Sequence, residues 1–142
     1  MYQYNVVNSE NLSLHDCRAN KMSWNDGVLS FYIPDGIWIV ENGETIKTKS
    51  ACVDFEVLDK NIDDVDIYLF RKKRSGKVLR EQWKVDNFIN AVNEGTFEVE
   101  FLYKYLGYQY ILYKCCVWFK KAPYCYECEI EMHSTKMVCR YN

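Results

Sequence analysis

The chain has 142 residues, 49% hydrophobic and 27% charged, enough apolar material for one globular core and too much for a disordered chain. A formal net charge of -2 excludes a global attraction to nucleic acid or anionic lipid. No run approaches the roughly 18 consecutive apolar residues of a membrane span.

The first eleven residues are polar and lack the basic start and apolar centre of a secretory signal, so the expected compartment is the cytoplasm. In that compartment the 7 cysteines stay reduced. Most are expected to be buried, since a free thiol packs as a small hydrophobe.

Along the chain the dominant hydrophobic period is two, as in half-buried antiparallel strands. Val28–Ile33 and Ile37–Val40 flank Pro34-Asp35-Gly36 and predict a hairpin, because Pro presets φ and Gly accepts a positive one. Ala51, Val53, Phe55 and Val57 form the core side of the next strand. Asp59-Lys60-Asn61-Ile62-Asp63 resembles the start of a calcium loop. Asp64 and Phe70 stand where such a loop needs Gly and Glu, so a polar turn is expected instead. Val65, Ile67 and Leu69 mark the strand after it.

Val85, Phe88, Ile89 and Val92 keep helical spacing and predict one helix over about 86–94, capped by Asp86 and closed by Gly95. Phe97, Val99 and Phe101 then resume the alternation. Residues 108–119 are apolar on both faces, as in a central strand, and Tyr126, Cys128, Ile130 and Met132 give the core side of a last strand. The expected fold is a single α+β domain over 1–142, mostly one antiparallel sheet of about eight or nine strands with one helix.

The alternation carries a second message. Glu127, Glu129 and Glu131 occupy the wet side of one strand, and Glu98 and Glu100 that of another. Like charges close together in a sheet are destabilising, and nothing in a core requires them. The plain reading is a solvated outer face; the functional reading makes them candidate contacts for a basic protein, with the abundant Tyr and Trp as anchors. Paired carboxylates also serve glycoside hydrolysis, but a chain this short, with one helix, offers little wall for a sugar cleft.

Other motifs point to chemistry less well. Cys125-Tyr126-Glu127-Cys128 is a single C-x-x-C, with His133 and Cys139 downstream. In a strand its two thiols face opposite ways, so neither zinc nor any other cofactor is expected. His15 and Cys17 would share a face if 12–19 were one strand, yet no third group orients the histidine, and no catalytic residue is assigned. The basic run Arg71–Lys77 is not a P-loop and lacks interleaved aromatics. It reads as a solubilising loop, with no nucleic-acid or membrane partner.

Leu14-His15-Asp16-Cys17-Arg18 followed by Leu29-Ser30-Phe31-Tyr32-Ile33-Pro34-Asp35-Gly36 resembles the opening of small uncharacterised bacterial α+β proteins. Some of these are grouped with the immunity proteins of polymorphic toxin systems. The resemblance spans about residues 12–40. It implies a single-domain cytoplasmic protein that binds and neutralises a toxin or another partner, and it implies no catalytic residues. The expectation is therefore a non-enzymatic interaction domain with a basic partner such as a toxin, its exposed strand edges leaving self-association open. The alternative is a small enzyme or ligand binder with an aromatic pocket of His15, Trp38, Tyr110 and Trp118.

Overall fold

The computed structural model describes residues 2–5, 11–122 and 124–142. Part of the polar N-terminal stretch lies outside them, as does Pro123 of the turn signal Ala122-Pro123. In chain order the elements are β1 (Tyr2–Asn5), β2 (Leu12–Ser13), β3 (Cys17–Ala19), β4 (Lys21–Asn25), β5 (Val28–Ile33), β6 (Trp38–Glu41), β7 (Glu44–Lys47), β8 (Ala51–Val57), β9 (Val65–Lys72), β10 (Val78–Trp83), α1 (Val85–Asn93), β11 (Phe97–Gly107), β12 (Tyr110–Phe119), β13 (Cys125–Met132) and β14 (Ser134–Tyr141). All pairings are antiparallel. They form a six-stranded sheet ordered β10-β9-β13-β12-β11-β3, a five-stranded sheet β1-β14-β8-β5-β4 and a small sheet β2-β6-β7.

The mostly antiparallel α+β class is as expected, but one sheet of eight or nine strands has become three sheets with more strands. The additional strands carry weak alternation. β7 is exposed along its whole length, β10 is an edge strand with no fully buried residue, and β14 has a register shift between Ser134 and Lys136.

The helix alone does not cover the large sheet. Nine residues span about 14 Å at 1.5 Å each, whereas six strands at 4.8 Å spacing span about 24 Å. The five-stranded sheet covers the remainder face to face. Phe31 and Phe55 from it meet Phe101 and Tyr113 of the large sheet, with ring centroids 5.0 and 5.8 Å apart. Phe88 of α1 packs on Phe97 at 5.1 Å, and Trp83 closes against both rings. These contacts join one continuous core.

The expected hairpin of Val28–Ile33 with Ile37–Val40 does not form. Both edges of β5 are already taken, by β4 and β8. A strand has only two edges, so the Pro34-Asp35-Gly36 turn instead carries the chain into the small sheet, where β6 pairs with β2 and β7. Gly36, at φ 79°, permits this turn, and Thr48 Oγ1 accepts the Ile37 N–H at 2.9 Å just beyond it.

Asp86 is not the helix cap. Lys84 holds that position in extended backbone, and Asp86 sits in the first turn, where its charge suits the helix dipole. Gly95 does close the helix, at φ 79°. Its N–H reaches Val92 O, and the Thr96 N–H reaches Ala91 O, which satisfies two end carbonyls. Asn93 then uses its side-chain amide like a strand, bonding both the N–H and C=O of Met22 on the edge strand β4 at 2.9 Å. Among the described residues, no helix is long and apolar enough to cross a membrane.

Candidate functional site

The outward face of the six-stranded sheet holds most of the residues singled out from the sequence. Cys128, Ile130 and Met132 of β13 are buried, so Glu127, Glu129 and Glu131 stand together on the opposite side. The register fixes their neighbours. Glu131 lies directly between Asp66 of β9 and Leu112 of β12, Glu129 between Tyr68 and Lys114, and Glu127 between Phe70 and Cys116. Beyond β12, the face continues into Glu98 and Glu100, opposite Trp118 and Cys116.

The two carboxylates of β11 differ. Glu98 is exposed. Glu100 is mostly buried, accepts the Trp118 indole N–H at 3.2 Å and lies 3.7 Å from Arg18 Nε. Arg18 in turn covers the Trp118 ring at 4.5 Å. Glu100 therefore anchors Arg18 and Trp118, and its charge is already engaged. Cations also rim the far edge, where Arg80 lies over Tyr68 at 3.7 Å. The acidic centre is thus bounded by arginines rather than extending over the whole sheet.

The field of the ridge is felt by its neighbours. Tyr110 is pushed up to about 12, first by desolvation, then by its hydrogen bond to Glu131 and the charges of Glu131, Glu129 and Asp66. Below Tyr110 the long β11–β12 hairpin exposes Tyr103, Tyr105, Leu106 and Tyr108. Exposed tyrosines beside carboxylates combine apolar area with hydrogen-bonding ends, the composition of interface anchors.

The four residues of the alternative pocket do not converge on one cavity. His15 is exposed, with ring Nδ1 2.6 Å from Leu102 O, and Trp38 donates its indole N–H to His15 O at 3.1 Å, at the small sheet. Tyr110 meets His133 edge-on at 5.7 Å on the large sheet. Trp118 lines a cleft of about 520 Å³ near the end of α1, separate from the small one of about 70 Å³ beside His15.

Residues 12–19 are not one strand. A turn at Asp16, φ 62°, separates β2 from β3. It leaves His15 at the surface and Cys17 in the core, where the thiol lies 3.6 Å from the His15 carbonyl. Burial raises Cys17, Cys115, Cys128 and Cys139 above the ordinary thiol range, the wrong direction for a nucleophile.

Cys125 and Cys128 face opposite sides of the sheet, and Cys125 instead neighbours Cys116 on the outer face. Burial and a hydrogen bond with Cys125 push the Cys116 thiol to about 12. Among the described residues, no three His, Cys, Asp or Glu side chains are placed to hold a metal ion.

Sequence reasoning missed Asp66, Tyr68, Lys114, Tyr103 and Tyr105 as members of this face. Alternation marked Asp66 and Tyr68 as outward, but only strand pairing sets them beside Glu131 and Glu129. No family model matches this chain, and no curated protein or solved structure matches it.

Proposed function

We propose that the protein is a non-enzymatic interaction domain that docks a basic protein on the outward face of its six-stranded sheet. In the sharpest form of this reading it is an immunity-type protein and the partner is a toxin. The observation that carries the reading is the shared face of Glu127, Glu129 and Glu131, set against Asp66 and beside Tyr110 and Tyr68. Such a face raises the encounter rate with a cationic surface and offers aromatic area once contact is made.

The test uses wild type and a Glu127→Gln, Glu129→Gln, Glu131→Gln variant as bait for lysate of the source cells, followed by association kinetics with the captured protein. The expected partner is basic, and its association slows by about tenfold or more between low and high salt and again in the triple variant. In the immunity form, the captured protein arrests growth when expressed alone, and co-expression of this chain relieves the arrest. An association rate indifferent to both salt and the substitutions refutes the docking face.

A further inference from the structure

The opposite charge gathers at one end of the same molecule. Arg71, Lys72, Lys73, Arg74 and Lys77 lie at the β9–β10 connection, and all but Arg71 are exposed. In sequence this run has no aromatic partner. The fold supplies one, because β13 lies beside β9 and brings the β12–β13 connection, with exposed Lys120 and Lys121, to the same end.

Between the two connections is an open cleft of about 380 Å³ lined by Arg71, Thr96, Phe119, Lys120, Lys121 and Tyr126. Phe119 and Tyr126 form its aromatic surface, edge-to-face at 5.6 Å. Arg71 lies over the Tyr126 ring at 5.4 Å and gives its Nε–H to Glu81 at 3.0 Å. That contact orients the guanidinium and leaves its terminal N–H groups as donors for an anion's oxygens. Lys120 Nζ lies beside the last turn of α1, 3.7 Å from where a β-carbon on Gly95 would sit. Tyr124, a third and well-exposed ring, lines the neighbouring cleft that shares Phe119 and Lys120 with this one.

We propose that this cleft binds a nucleotide, its phosphates on Arg71, Lys120 and Lys121 and its base against the aromatic rings. The cations neutralise phosphate oxygens and the rings accept a base face, the pairing used by single-strand binders. The volume is within the range of small-ligand pockets. The chain's overall acidity does not oppose this, because exposed charges beyond about 8–10 Å are screened at physiological salt. The carboxylates of the docking face lie on the other side of the sheet from Tyr126. The source of the nucleotide is either a free molecule in the cleft or one unit of a single strand, whose further phosphates would run onto Lys73 and Lys77.

The test is fluorescence anisotropy with labelled ATP and with labelled dT16 at 20 mM and 200 mM salt, tripolyphosphate being the competitor. Binding is expected to weaken with salt. It should fall about tenfold or more in a Lys120→Gln, Lys121→Gln variant and remain unchanged in Lys136→Gln, which lies on the other sheet. ATP alone binding identifies a free nucleotide, and dT16 binding more tightly than ATP identifies a strand. Both outcomes support the site, and the strand outcome adds a loss in Lys73→Gln, Lys77→Gln. Thermal melts of the variants separate lost binding from lost folding; if the Lys120→Gln, Lys121→Gln protein is unstable, Arg71→Gln, on the other connection, tests the same phosphate contact and should show the same loss for either probe. No binding of either probe at 20 mM salt, full binding in both double variants, or tripolyphosphate competing as well as ATP overturns the proposal. None of these outcomes bears on the acidic face.

Discussion

The acidic face makes a quantitative prediction about stability. Glu131 lies directly opposite Asp66 and two residues from Glu129 on the same face. Directly opposed β-carbons are about 5 Å apart, and residues i and i+2 about 7 Å. In a water-like dielectric those two repulsions cost about 0.8 and 0.6 kcal/mol before screening. Glu131→Gln removes both while keeping a carbonyl oxygen that can accept the Tyr110 hydroxyl. At 10 mM salt, screening leaves a stabilisation of about 1 kcal/mol, and at 1 M salt about 0.2 kcal/mol. Urea titrations of wild type and variant at the two salt concentrations measure the difference. The same substitution should slow association with a basic partner, so stability and binding move in opposite directions. A loss of stability at low salt, or a gain that ignores salt, would refute the account of Glu131 as an uncompensated charge held on the surface.

Two further predictions concern the frame. Gly36→Ala should destabilise by at least about 2 kcal/mol, because φ is 79° there and a β-carbon would run into the Thr48 backbone and hydroxyl; an unchanged melting temperature would contradict it. Stability should also decline as pH rises above about 9. Burial holds Cys139 at about 12, with Cys115 and Cys128 raised in the same sense, so their stabilising contribution is complete below the unfolded thiol value of 9.0 and is lost as pH climbs towards the folded values. For Cys139 alone the loss by pH 10.5 is at most about 2 kcal/mol. Lys104, lowered by burial, acts in the opposite sense. Urea midpoints at pH 8 and 10.5 test the sum, and Cys139→Ala should flatten the decline; a midpoint that rises with pH would contradict the assignment.

Local rules of strand and helix made much of this protein legible from residues alone. A pleat turns each side chain opposite to its neighbour, so alternation was enough to sort Glu127, Glu129 and Glu131 from Cys128, Ile130 and Met132. Helical spacing was enough to place Val85, Phe88, Ile89 and Val92 on one buried face, and Gly95 marked where that helix stops. What alternation cannot express is which edge meets which. That pairing is set by competition among strands distant in sequence. The competition sent residues 38–41 to a separate sheet rather than back along Val28–Ile33, faced Phe31 and Phe55 against Phe101 and Tyr113, and scattered His15, Trp38, Tyr110 and Trp118. It also set Asp66 against Glu131 and carried Lys120, Lys121 and Tyr126 to Arg71, so that a basic run without aromatics in the chain acquired them in space. The side on which a residue stands is a local property of the backbone, whereas its neighbours across the sheet come from tertiary pairing.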